Sequence, residues 1–291
     1  MFSTTELLKP ELIEKISSLN LRARLVVEGF ISGLHRSPFR GFSLEFTEHR
    51  PYLPGDSIKL VDWKVYARTD RFFVKEFEEE TNLRATVFLD VSNSMDFGKP
   101  VTKMRYAVTL AAAFFYLLIH QRDSAGLVAF SDRIEKYIPP SSGKEHLNTL
   151  LHTLSSLKPG RKTRIAEVVR KIAGTMKKRG LVIFISDLLY SPEQTLNAIR
   201  LLRTRKNEVI VFHILSPEEQ EFPYKKATYF EDMETKRLLP VDPSAVKRDY
   251  KKLLERYLEK LRQGFVSSDI RYVFISTTTP YDTAMLMGVR R

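Results

Sequence analysis

From residue 84 onward the chain alternates between short apolar runs and longer segments in which apolar positions recur every three or four residues. The runs predict strands at Arg84–Asp90, 125–130, 133–138, Leu181–Ser186, 209–215 and Arg271–Ser276. The stretch LVIFIS at 181–186 is apolar throughout, the pattern of a strand covered on both faces of a sheet. Two of the runs flank Ser131 and Asp132 and predict a hairpin there. The helical period fits 102–121, 143–157, 164–178, 192–205 and 244–263, with Leu147, Leu150, Leu151 and Leu154 sharing one face of the second. Six strands interleaved with helices predict a doubly wound, mostly parallel α/β sheet. Residues 216–243, which include PEEQEFPY, predict a polar excursion between strand and helix.

The first 80 residues have a different character. An amphipathic helix is expected over 5–19, followed by strand-like pieces, a turn at Pro54-Gly55-Asp56 and a strand in RFFVKEF at 71–77. The division expected is therefore an N-terminal helix and β-rich elaboration over 1–80 and an α/β domain over 81–291. The longest apolar run, AVTLAAAFFYLLI at 107–119, is too short for a membrane span of about 20 residues and reads as a buried helix. The opening MFSTTELLKPELIEKISSL lacks the apolar core of a signal peptide, so a cytoplasmic location is expected. With no cysteine, disulfides, thiolate zinc sites and a cysteine nucleophile are excluded.

The formal charge is +12, and its placement matters more than its size. Residues 1–80 hold 12 basic against 13 acidic side chains, whereas 158–206 hold 13 basic residues against Glu167, Asp187 and Glu193. Such an excess is either a solvated helix surface or a surface for something anionic, be it an acidic protein face, nucleic acid or phospholipid.

Candidate chemistry gathers where apolar strands stop. VFLDVSNSM, at 87–95, places Asp90, Ser92 and Ser94 at alternate positions directly after a strand. An ordinary turn explains such residues, and so does a metal site. In an open α/β sheet the loops at the carboxyl ends of the strands gather at the topological switch point. Asp187 follows LVIFIS, and Thr163 precedes the helix leading into that strand, so both belong to the same edge. Two carboxylates and three hydroxyls form a set of hard oxygen donors suited to Mg²⁺ or Mn²⁺. Lys158, Arg161, Lys162 and Arg164 surround Thr163 and would form a basic rim for an acidic partner.

The D-x-S-x-S of Asp90, Ser92 and Ser94, with a later Thr163 and Asp187, resembles the metal-ion-dependent adhesion site of von Willebrand factor A-type domains. The resemblance implies a cation at the top of the sheet, held by those five residues and completed by a partner's acidic side chain. Many members carry a small pair ahead of the threonine, where this chain has Arg161 and Lys162. The block at 41–80 is similar to the hallmark of the "domain of unknown function fifty-eight" proteins, through Glu45, Phe46, Arg50, Tyr52, Pro54, Gly55, Asp56, Asp62, Trp63, Ala67, Arg68, Val74 and Lys75. That family implies a MoxR-type AAA+ ATPase partner and an adaptor role in complex assembly or metal insertion. Read physically, Arg50, Asp56, Asp62 and Arg68 suit an ion-pair network, Gly55 a positive φ after Pro54, and Trp63 a core anchor; a docking surface is the alternative.

Other chemistries lack their residues. Gly160 to Thr163 misses the first glycine and the spacing of a P-loop. The second aspartate usual in aspartyl phosphotransferases is Ser92 here, and no G-x-S-x-G elbow exists. The six histidines form no i, i+4 zinc pair. The expected function is non-enzymatic, metal-dependent protein interaction. Its alternatives are nucleic-acid binding through the basic 158–206 surface, which lacks a recognised motif, and a Mg²⁺-dependent hydrolase, which lacks a general base beside the ligands.

Overall fold

The computed structural model describes residues 8–35, 49–51, 73–75, 83–160, 165–174, 179–226, 228–233 and 236–289. Contacts divide the chain into two compact units, one of Met1–His35 with Leu83–Arg291 and one of Arg36–Asn82. In the smaller unit, β1 (His49–Pro51) pairs antiparallel with β2 (Phe73–Lys75).

In the larger unit a short helix α1 (Pro10–Ile13) precedes α2 (Leu19–His35). Then come β3 (Arg84–Asp90), α3 (Lys103–His120), β4 (Ser124–Phe130), β5 (Ile134–Ser141), α4 (Lys144–Ser156), α5 (Ile165–Ala173), β6 (Leu181–Ser186), α6 (Pro192–Thr204) and β7 (Glu208–Leu215). After α7 (Pro217–Glu221) and the hairpin β8 (Thr228–Glu231) and β9 (Leu238–Val241), the chain ends on α8 (Pro243–Val266), β10 (Arg271–Ser276) and α9 (Tyr281–Val289). The main sheet runs β10-β7-β6-β3-β4-β5, parallel except for the antiparallel pair β4 and β5. The chain moves from β3 through β4 to β5 on one side, then returns to β6 on the other, so the switch point lies between β3 and β6.

The six strands, the hairpin at Ser131-Asp132 and the helices between them stand where the periodicity predicts, except that of the helix expected over 164–178 only Ile165–Ala173 is helical, with 164 and 175–178 outside the described residues. Within the continuous apolar runs, successive residues serve different layers. Val87 and Leu89 join the core beneath α2, α3, α4 and α9, whereas Phe88 joins Val128, Phe130 and Phe184 in the core beneath α5, α6 and α8. Helix α3 presents Ala107, Ala111, Ala112 and Ala113 among its buried residues, and these small side chains let it lie close to the sheet.

Four features differ from the sequence expectation. The helix expected at 5–19 stops after Ile13, and a new one begins at Leu19, because Ser18 Oγ accepts the Leu21 amide and Ser18 O the Arg22 amide at a fresh helix start. Residues 19–35 are one helix rather than strand-like pieces, and Ala23, Val26, Val27 and Phe30 are buried in the first core. The excursion at 216–243 holds a helical turn and a hairpin, and its Phe222, at φ 47°, packs against Phe230 and Tyr250. A last helix, α9, stacks Tyr281 on Tyr106 with ring centroids 4.5 Å apart.

One buried titratable group sits in the second layer. His213 on β7 is fully buried, its Nδ1 2.7 Å from the Tyr272 hydroxyl, with Tyr257 and Phe274 against its ring. Burial keeps it neutral, lowering its pKa from 6.5 to about 4. The unfolded chain therefore takes up this proton first. The contribution to stability is present above about pH 6.5 and is lost as pH falls toward 4. Between pH 7 and 4.5, His213→Phe is expected to lose about 2 kcal/mol less stability than wild type in urea unfolding. An identical loss in both proteins would show that His213 does not carry the effect.

Candidate functional site

The site is built on two strand ends. Strand β3 delivers Asp90, buried to 1% exposure, and its Oδ1 accepts the Ser92 amide at 2.9 Å, which turns the chain sharply at the sheet edge. A short 3-10 turn, Asn93–Asp96, follows, anchored by the fully buried Met95. That turn brings Ser92 Oγ within 3.1 Å of Ser94 Oγ. On the neighbouring strand β6, Ser186 Oγ donates to Asp90 Oδ2 at 2.7 Å and accepts the Leu188 amide at 2.9 Å. Asp187, the next residue, is 2% exposed and accepts hydrogen bonds from the Ser94 hydroxyl and the Leu189 amide. Asp90, Ser92, Ser94 and Asp187 thus form one linked cluster.

Thr163, Arg161, Lys162 and Arg164 lie outside the described residues. The segment leading to them starts beside the cluster, since the Gly160 amide donates to Val91 O at 2.5 Å. A Cβ on Gly160 would lie 3.1 Å from Ser131 Oγ and 3.2 Å from Val91 O, so a larger residue would have to push these neighbours back by a few tenths of an ångström. Lys158 is exposed. Arg50 lies on β1, and Tyr52, Pro54, Gly55, Asp56, Asp62, Trp63 and Arg68 lie outside the described residues. Two of the basic side chains of 158–206 make contacts within the chain. Arg200 donates to Ser268 Oγ and Gly264 O, and Arg203 to Asn207 O and Asp269.

Three residues of the site were not legible as such. Ser186 links the two strand ends. Lys103, on the first turn of α3, is fully buried and sends its ammonium to Asp187 Oδ2 at 2.7 Å and to Glu219 Oε1 at 2.6 Å. Glu219 belongs to a capping box at the start of α7, where its Oε2 accepts the Ser216 amide and Ser216 Oγ accepts the Glu219 amide. Two sequence signals were available. A lysine in the first turn of a helix opposes the helix dipole and so demands a reason, and S-x-x-E at 216–219 is the capping-box pattern.

The charges are unevenly balanced. Burial, reinforced by the Asp187 carboxylate, pushes Asp90 up to about 7. Burial also opposes ionisation of Asp187, but the Lys103 ammonium and the hydroxyl and amide donors outweigh it and hold the group below the usual carboxylate range. For Lys103 burial disfavours the charge, and the two carboxylates more than restore it, raising the pKa. Glu219 is raised by burial despite the pull of Lys103. Among the described residues no group of three or more His, Cys, Asp or Glu side chains is placed to hold a metal. The donors here are instead two carboxylates and two hydroxyls, all hard oxygens, and the excess negative charge on Asp90 is what a hard cation would relieve.

The sheet order, the helices on both faces and the switch-point cluster define a von Willebrand factor A-like α/β domain. Residues 48–259 match the family described as "Protein of unknown function DUF58", and the chain belongs to that family. Uncharacterized proteins of Mycobacterium tuberculosis and Mycobacterium bovis are each 27% identical over 241 residues, covering 81% of this chain and 75% of theirs. An aerotolerance-related membrane protein from Bacteroides fragilis aligns over 71% of this chain and 98% of its own, with a TM-score of 0.50 at 15% identity, a likeness of fold. The conserved hypothetical protein BatB from Bacteroides thetaiotaomicron aligns over 71% and 97% with a TM-score of 0.49 at 17% identity. The SpRpn10 VWA domain aligns over 72% and 98% with a TM-score of 0.42 at 11% identity. Among the described residues no helix is long and apolar enough to cross a membrane.

Proposed function

We propose that the carboxyl edge of the sheet is a docking surface at which Mg²⁺ or Mn²⁺ joins this chain to an acidic residue of a partner protein. The observation that carries this reading is the convergence of Asp90, Ser92, Ser94 and Asp187, from two strand ends, into one cluster of hard oxygen donors. Asp90 and Asp187 would anchor the ion directly or through water, and Ser92, Ser94 and Thr163 would supply neutral oxygens. An ion held by so few anionic groups keeps positive charge for a carboxylate from outside. Lys158, Arg161, Lys162 and Arg164 would speed the encounter.

In this reading the chain is a non-enzymatic, cytoplasmic adaptor. A MoxR-type AAA+ ATPase is the partner class that the family resemblance implies, with complex assembly or maturation as the process. Nucleic acid on the basic surface, of which Arg200 and Arg203 already make contacts within the chain, is the second reading.

The test is binding of the purified chain to a purified MoxR-type ATPase in Mg²⁺ and in EDTA. Wild type is expected to bind at least about tenfold more tightly in Mg²⁺, and Asp90→Ala to lose that difference. Equal affinity in all four combinations sinks the metal-bridged reading. Affinity for a DNA or RNA duplex that falls steeply with salt and ignores Mg²⁺ would favour nucleic acid instead.

A further inference from the structure

The pairing of Lys103 goes beyond the ligand set just described. An ammonium taken wholly out of water is costly unless it is paired and hydrogen-bonded. Lys103 is fully buried, reaches Asp187 at 2.7 Å and Glu219 at 2.6 Å, and lies 5.8 Å from the centre of the Phe97 ring. Its place on the first turn of α3 sets it against the positive end of that helix, so local helix electrostatics do not account for it. The carboxylates do. Asp187 is 84 residues away in sequence and Glu219 is 116 residues away, and each arrives on its own rigid element. Glu219 is fixed by the capping box of α7, and the Tyr250 hydroxyl donates to its backbone carbonyl at 2.7 Å. The Lys99 amide donates to the neighbouring Glu218. The ammonium is therefore clamped between Asp187 and a braced Glu219.

We infer that Lys103 is a resident cation of this site, which occupies half of the carboxylate charge and thereby sets the site's affinity for a divalent ion low. The inference rests on the metal reading of the Asp90 cluster and deepens it. Asp187 shares its charge with Lys103, and Asp90 accepts from the Ser92 amide and the Ser186 hydroxyl, so the pair offers an ion less than two full carboxylate charges. An ion held by such a partly neutralised pair binds weakly by itself and is completed by an acidic side chain from outside. Ion and partner would then bind together rather than in sequence. Lys103 acts through Asp187, so it is a positioning and charge-setting residue, not a ligand.

The experiment is Mn²⁺ binding to the purified full chain, read by electron paramagnetic resonance or calorimetry, for wild type, Lys103→Met and Glu219→Gln. A unit charge within several ångströms of a divalent ion, even at the dielectric of water, changes affinity by a factor of about ten. Lys103→Met is expected to bind Mn²⁺ at least that much more tightly than wild type. Glu219→Gln, which leaves the ammonium wholly to Asp187, is expected to bind more weakly. A merely structural lysine would leave the Mn²⁺ affinity of a folded Lys103→Met unchanged. Wild type and Lys103→Met binding Mn²⁺ equally, or Lys103→Met binding more weakly, overturns the inference while the metal reading stands. Should Lys103→Met not fold, Glu219→Gln decides, and unchanged or tighter binding there overturns it. If no protein binds Mn²⁺, the metal reading itself fails and the inference falls with it.

Discussion

Glu14→Ala is expected to lose about 3–5 kcal/mol of stability in guanidinium unfolding, the cost of breaking a buried ion pair from one side. Its carboxylate side chain is 3% exposed and gathers four groups from three helices. Thr109 Oγ1 and the Tyr281 hydroxyl donate to its Oε1 at 2.5 and 2.8 Å. Arg22, itself 13% exposed, and Arg105 pair with its Oε2. Alanine would leave a largely buried guanidinium and two buried hydroxyls without this acceptor, and α2, α3 and α9 would lose the group that ties them together. Glu14→Gln keeps one acceptor oxygen and should recover part of the loss. A loss below about 1 kcal/mol for alanine would mean that water or a neighbouring group replaces the carboxylate.

Asp90→Asn should act in the opposite direction and stabilise the metal-free protein, by about 2–4 kcal/mol at pH 8 in EDTA. Asp90 rises to about 7 because burial and the Asp187 charge penalise its ionised form. A folded-state value above the unfolded one means that the folded chain holds the proton longer. This contribution favours folding below about pH 4 and is lost as pH climbs toward 7, so the full penalty stands at pH 8. Asparagine removes the charge and keeps an oxygen for the Ser92 amide, while the Ser186 hydroxyl can turn to accept from the new amide. The gain should shrink toward zero near pH 4. An asparagine variant no more stable than wild type at pH 8 would show that another group already compensates Asp90. A residue whose removal stabilises the fold is held for what it does, the usual trade between stability and function.

The elements that were legible in the sequence are those whose signals are local. LVIFIS announces a covered strand because alternate residues on both of its faces are apolar, and D-x-S-x-S stands out because three ligand-type oxygens follow a strand within five residues. The helix α2 was harder to see. Its apolar residues Ala23, Val26, Val27 and Phe30 lie among Arg22, Arg24 and Glu28, and burial against the α/β core decides its state. The tail helix α9 is a short apolar stretch, and its packing on Tyr106 supports it.

By itself the sequence determined the strand positions, the sidedness of the helices and the Asp90, Ser92, Ser94 motif, because each depends on residues within a turn or two of one another. Only the tertiary structure decided how charge is shared at the switch point. It set Lys103 against Asp187 and Glu219, tied Ser186 to Asp90, and spent Arg200 and Arg203 on internal contacts. The physical reason is range. A buried charge is stable only beside its counter-charge, and here the partners arrive from segments 84 and 116 residues away, brought together by the packing of the sheet and its helices.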